Sequence, residues 1–197
     1  GEYDRRKYGS LENPEYSAIT RLWLNETNRG YSRCTGTFID NNLILTNSHC
    51  AVSCVHGENC SADFWDGKKY VTTKIEPIML NENFQVVAGD DWALMMAYDA
   101  NPNVRKVAST TTLGDVSFGG YGTLRVIKNE ELPIIRKIAE ETFQKYGKQC
   151  DKEKEFWGCW WNFVEQEVKK AGLKPLTGDS ENLKIRSCKI VKNSLSD

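Results

Sequence analysis

The side chains best suited to chemistry gather in one stretch, Cys34-Thr-Gly-Thr-Phe-Ile-Asp-Asn-Asn-Leu-Ile-Leu-Thr-Asn-Ser-His-Cys50, where a histidine stands between an apolar run and a cysteine. The chain has only two histidines. Imidazole is the side chain whose ordinary pKa lies nearest neutrality, so His49, held past the end of a buried strand, is a candidate general base. A core histidine with a satisfied hydrogen bond accounts for the same fragment equally well. Downstream, Gly89-Asp90-Asp91-Trp92-Ala93-Leu94-Met95-Met96 carries acidic residues straight into an apolar run. A carboxylate at the mouth of a buried strand must be hydrogen-bonded, and an imidazole N–H is one partner that would satisfy it. A turn residue capping the strand is the other reading of the same pattern.

The elements around these residues are β-like. Phe38-Ile39 and Leu43-Ile44-Leu45 read as short strands about the turn Asp40-Asn41-Asn42. Residues 18–24 mix apolar and polar positions as a half-buried strand does, and residues 25–30 form a hairpin turn. Residues 51–66 read as a cysteine-bearing loop. Residues 69–80 return to β composition, with Pro77 marking an edge or a strand end. Residues 1–16 are polar and poorly periodic, as expected of a surface arm.

The string CTGTFIDNNLILTNSHC resembles the histidine segment of trypsin-like, chymotrypsin-fold serine proteases, in which a Cys-x-Gly-[ST] strand leads to Thr-Ala-[AG]-His-Cys. Asn47-Ser48 replaces the usual small pair. The Asp-x-Ala-Leu run at Asp91 resembles the aspartate motif of the same family, which places the role on Asp91 and not on Asp90. The 42-residue separation of His49 and Asp91 suits one six-stranded barrel. Asp4-Arg5 and Tyr16-Ser17-Ala18-Ile19 resemble the mature start of bacterial glutamyl-endopeptidase-like members. The resemblance implies a mainly β, chymotrypsin-like double β-barrel. Residues 1–103 would form the N-terminal barrel carrying His49 and Asp91, and residues 104–197 would begin a second, incomplete barrel.

Composition bounds the alternatives. The 197 residues are 40% hydrophobic, enough to bury a core, and 26 basic against 27 acidic groups leave a formal charge of −1, with no broad pull toward nucleic acid or an anionic membrane. No apolar run reaches the roughly 18 residues of a membrane helix. The chain opens on Gly1 without a basic-then-apolar leader and reads as a mature or trimmed product. Seven cysteines imply an oxidising setting, secreted or periplasmic, and their spacing offers the local pairs Cys34 with Cys50, Cys54 with Cys60 and Cys150 with Cys159. Cys188 is then left over and asks for a partner, such as a second, C-terminal chain. Cys54, His56 and Cys60 supply only three possible ligands in a short loop, where a structural zinc site needs two close pairs or a pair plus histidines, so no metal or other cofactor is expected.

The second half changes period. Residues 114–127 read as strand, glycine-rich turn and strand, and the glycines at 119, 120 and 122 match no phosphate-loop pattern, so they read as structural. From Asn129 an amphipathic helix with Pro133 in its first turn is closed by Gly147. A second helix covers residues 151–170, its aromatic cluster packing on the first helix and stapled by Cys150–Cys159. This helical insertion, at about residues 129–172, departs from the family. Gly178-Asp179-Ser180 imitates the family's nucleophile motif, but Glu181 and Asn182 stand where glycine and a small residue keep the oxyanion backbone open, so Ser180 is a weak nucleophile candidate. The function expected is hydrolysis of peptide bonds in peptide or protein substrates by a His-Asp-Ser triad, in a processed or truncated chain. The alternative is a catalytically inactive homologue that serves as a binding protein.

Overall fold

The computed structural model describes residues 6–27, 30–55, 59–81, 83, 89–104, 113–152 and 156–192. Among the described residues, nine strands and two long helices carry the fold. The strands are β1 (Arg6–Tyr8), β2 (Ile19–Thr27), β3 (Gly30–Asp40), β4 (Leu43–Thr46), β5 (Ser61–Trp65), β6 (Tyr70–Leu80), β7 (Ala93–Ala97), β8 (Gly114–Gly120) and β9 (Lys184–Ile190). A single helical turn, α1 (Ser48–Ala51), follows β4, and the long helices are α2 (Leu132–Cys150) and α3 (Phe156–Lys170). Strands β2-β3-β4-β7-β6-β5 close into a six-stranded barrel, and β1-β9-β8 form a separate three-stranded sheet. The chain is therefore mainly β, as expected, with one closed barrel, a second sheet and few helices.

Alternation builds the barrel. In β7, Ala93, Met95 and Ala97 point inward and their neighbours less so, and in β5 Ala62 and Phe64 do the same, as the period of two requires. Phe38 and Phe64, both fully buried, meet edge to face at 5.2 Å in the centre, surrounded by Leu22, Leu24, Ile44, Ile75 and Met95. Strand β5 corrects the expectation of a loop over residues 51–66. Its short Ser-Ala-Asp-Phe-Trp alternation pairs with both β2 and β6, and pairing on both sides stabilises a strand whose own signal is weak. Pro77 also differs from expectation. It lies inside β6, at a register shift against β7 between Pro77 and Met79; a closed barrel has no edge, and a bulge is the other place where a missing N–H is tolerated.

Residues 1–16 are not simply a surface arm. Leu11 and Tyr16 are buried with Tyr121, Leu183 and Ile185, and Gly9 donates its N–H to the Leu183 carbonyl at 2.9 Å. Gly119 is structural in a literal sense, since a Cβ there would stand 2.5 Å from Ile19 Cδ1. The hairpin turn expected at residues 25–30 shrinks, because β2 runs to Thr27 and β3 starts at Gly30; residues 28 and 29, like residues 105–112, lie outside the described residues.

The chain divides into two compact units, one of residues 7–122 and 181–197 and the other of residues 1–6 and 123–180. The second unit is helical. Its apolar cluster joins Ile127, Leu132, Ile135, Val164, Val168 and Leu176. Residues 123–127, expected as a strand, form none; Leu124 and Ile127 bury their apolar side chains against this cluster instead. Helix α2 does not close at Gly147 but continues to Cys150, where the Cys150–Cys159 disulfide joins it to α3. Tyr146 stacks on Phe163 with ring centroids 3.8 Å apart, so the aromatic cluster packs helix on helix as expected. Arg125 grips Glu131 with both guanidinium nitrogens, at 2.9 and 3.2 Å, and also donates to the carbonyls of Lys174 and Pro175. The guanidinium holds the Glu131 carboxyl below its ordinary range. No helix among the described residues is long and apolar enough to cross a membrane.

Candidate active site

Antiparallel pairing of β4 with β7 brings the site together. Thr46 lies opposite Ala93 and Leu45 opposite Leu94, so the end of one strand stands beside the start of the other. The residue three past Thr46 is His49 and the residue two before Ala93 is Asp91, which meet across that shared barrel end. Asn47 is extended, and the chain then turns at once into the helical turn α1. Two side chains fix this reversal: Asn47 Nδ2 donates to the Asp91 carbonyl at 2.9 Å, and Ser48, fully buried, donates its hydroxyl to the Trp92 carbonyl. Ser48 Oγ also accepts the Asn81 N–H at 3.3 Å. From the other side the Cys34–Cys50 disulfide ties α1 to β3.

One carboxylate then engages one residue twice. Asp91 Oδ2 lies 2.6 Å from His49 Nδ1, and Asp91 Oδ1 accepts the His49 backbone N–H at 2.8 Å. The Asp91 side chain is 6% exposed and that of His49 47%, a buried orienting group beside an accessible ring. Burial alone pushes the Asp91 carboxyl up. The His49 backbone N–H, the His49 ring and the Ser48 backbone N–H more than offset it, so the carboxyl sits below its ordinary range and stays ionised at neutral pH. With a carboxylate accepting at Nδ1, the neutral imidazole carries its lone pair on Nε2, where it can take a proton.

The neighbouring acid is not part of this pair. Asp90 Oδ2 accepts from Asn81 Nδ2 at 3.4 Å. Ser180 belongs to the helical unit and is 4% exposed, a poor presentation for a nucleophile; the preceding Asp179 donates its N–H to the Thr123 carbonyl. Glu181 and Asn182 are exposed. The cysteines pair as their spacing predicts, Cys34–Cys50, Cys54–Cys60 and Cys150–Cys159, and Cys188, on β9 opposite Val116, is a half-exposed free thiol. The Cys34 and Cys50 sulfurs lie within 4.8 Å of a His49 ring nitrogen, but a disulfide offers no thiolate to a metal. The Cys54 and Cys60 sulfurs are likewise bonded to each other, and His56 lies outside the described residues. In the sequence, Asn47-Ser48 reads only as a departure from a motif. Their positioning role has no sequence signal, because both acceptors are backbone carbonyls 44 residues away.

No curated protein sequence matches the chain. A solved structure titled "Structure of GrC" is similar at 11% identity with a TM-score of 0.45, over 63% of this chain and 58% of that one; the chain thus spans just under three fifths of that structure's length. The profile of the family described as Trypsin matches residues 14–149. That span takes in both His49 and Asp91 and most of the chain, and the chain belongs to the trypsin family of serine proteases.

Proposed function

We propose that this chain carries the acid–base half of a serine endopeptidase, with His49 as general base and then acid, and Asp91 as the carboxylate that orients it. The observation that supports this most directly is the double contact of Asp91 with His49, through Nδ1 at 2.6 Å and the backbone N–H at 2.8 Å. In the serine-protease sequence of steps, His49 Nε2 removes the proton of a serine hydroxyl as its oxygen attacks the peptide carbonyl carbon. The C–N bond then breaks as the same nitrogen delivers that proton to the leaving amine, and the acyl group is later released to water. Asp91 stays ionised throughout and stabilises the imidazolium.

Ser180 is not assigned the nucleophile, because it is buried and because Glu181 and Asn182 stand where the family's motif has a glycine and a small residue. The nucleophile is assigned to a second, C-terminal polypeptide of a processed protease, tethered through the unpaired Cys188. Residues 1–103 are then the domain carrying the acid–base pair. Residues 104–197 are the beginning of a second barrel with the helical insertion at about 129–172. Three disulfides support a secreted or periplasmic setting. The likeness of Asp4-Arg5 and Tyr16-Ser17-Ala18-Ile19 supports a place among the bacterial glutamyl-endopeptidase-like members; Asp4 and Arg5 lie outside the described residues.

Protein isolated from its native source, measured by intact mass with and without reductant and challenged with a fluorophosphonate, tests the assignment. A reducible second polypeptide that takes up the probe is the expected result. A free Cys188 thiol together with no labelling would overturn it and leave the inactive binding homologue.

A further inference from the structure

Three groups able to bind a soft divalent cation converge beside the acid–base pair. The Sγ atoms of Cys34 and Cys50 and a ring nitrogen of His49 all lie within 4.8 Å of one another. In the oxidised chain the two sulfurs are bonded to each other. Reduction turns them into two thiols, whose ionised forms are strong zinc ligands. The barrel, and not the disulfide alone, places all three groups. Cys34 sits in β3 opposite Leu22 of β2. The next residue, Thr35, is held twice more: its carbonyl accepts the Thr46 hydroxyl at 3.0 Å, and its side-chain oxygen accepts the Tyr121 N–H at 2.9 Å. His49 and Cys50 sit in α1, whose entry Asn47 and Ser48 tie to the carbonyls of Asp91 and Trp92.

Asp91 at Nδ1 of His49 supplies a further feature of a metal site. A zinc-bound imidazole almost always gives its other ring N–H to a carboxylate, carbonyl or water, which orients the ring and raises its basicity. Two thiolates and one imidazole, with water in the fourth position, make up one of the known zinc ligand sets. Cys50 is buried and Cys34 half-buried, while the His49 side chain is 47% exposed, so the site opens to solvent at the imidazole. We infer that Cys34, Cys50 and His49 bind zinc in the reduced chain and that closing the Cys34–Cys50 disulfide empties the site. Closure is a thiol–disulfide exchange: one cysteine thiolate attacks a disulfide oxidant and expels its first thiolate, and the other cysteine thiolate then displaces the second. The Cys34–Cys50 bond forms, the oxidant's S–S bond breaks, two electrons pass from the cysteines to the oxidant, and the zinc ion leaves. A metal on Nε2 prevents the ring from taking a proton. The site therefore keeps the base silent until the disulfide has formed; this consequence alone rests on the assignment of His49 as general base.

The full chain, reduced with a phosphine, is titrated with Co2+ to read thiolate-to-metal absorption and then with Zn2+ against a chromophoric chelator. The expected result is one tetrahedral metal equivalent that His49→Gln removes and that Asp91→Asn weakens by about 10- to 100-fold, the usual cost of losing an outer-shell partner. Oxidised glutathione should then release the zinc in step with formation of the Cys34–Cys50 bond, followed by peptide mapping. Absence of metal uptake would overturn the inference, as would uptake that His49→Gln leaves unchanged because other cysteines hold the ion. Zinc that stays bound after the disulfide has closed would do the same, and so would a reduced chain without the parent's β circular dichroism, in which the ligands no longer converge. If His49→Gln does not fold, Cys34→Ser removes a ligand from β3 and decides in its place. Metal binding is read without a peptidase assay, so a failure of the site and a failure of the acid–base assignment are seen separately.

Discussion

Asp91 meets His49 through two different atoms of the same carboxylate, and the consequences of replacing it divide accordingly. In Asp91→Asn one position becomes an NH2 donor, so the amide competes with the ring proton and the imidazole loses the tautomer that leaves Nε2 basic. Fluorophosphonate labelling of the assembled protease should slow by about 10⁴-fold, the size expected when the orienting carboxylate of a triad becomes an amide. A rate unchanged within a factor of a few would remove Asp91 from the mechanism. The same variant has a pH signature. The folded carboxyl lies below its ordinary range, so its contribution to stability is present above the unfolded value of about 4 and is lost as pH falls through the folded value. Asp91→Asn should therefore show a shallower acid-unfolding limb below about pH 4 by circular dichroism; an unaltered limb would contradict the shift.

Individual strands show where local pattern and tertiary demand part company. Gly36, inside β3, faces Ile44 so closely that an added Cβ would stand 2.6 Å from its Cγ2 and within 3.3 Å of Thr20 and Leu22. Ile44 is branched at Cβ, which holds that methyl stiffly, and is fully buried, leaving no room for retreat. Gly36→Ala should destabilise the barrel by about 1–3 kcal/mol, read from the urea midpoint; a neutral substitution would mean that β3 and β4 are less tightly packed than the structure has them. The sequence reveals β2 by its mixing of apolar and polar positions, β4 and β7 by short apolar runs, and β6 by its β-like composition. It misses β5, whose five residues are hidden beside cysteines and a glycine turn, and it misplaces Pro77, because a bulge is set by the partner strand and not by the strand that carries the proline.

At the scale of the whole molecule, the two compact units have separate apolar clusters, one centred on Phe38 and Phe64 and the other on Val164, Val168 and Leu176. Units with separate cores unfold separately. Calorimetry should resolve two transitions. Replacing Cys150 and Cys159 together by serine should lower only one of them, by about 2.5 kcal/mol from the loop-closure cost of a short loop. One transition shifted as a whole would show that the cores are coupled. The sequence by itself determined the family, the three disulfide pairs and the presence of a helical insertion, and it singled out His49 and Asp91 as candidates. Each of these is written in contiguous residues or in short spacings, where local chemistry limits what a chain can do. Tertiary structure alone decided that Asn47 and Ser48 hold the turn before His49. It also decided that Ser180 is buried and that residues 123–127 leave the β pattern for the helical core. Those outcomes depend on which distant carbonyl or side chain is close by, a distance that no local run of residues encodes.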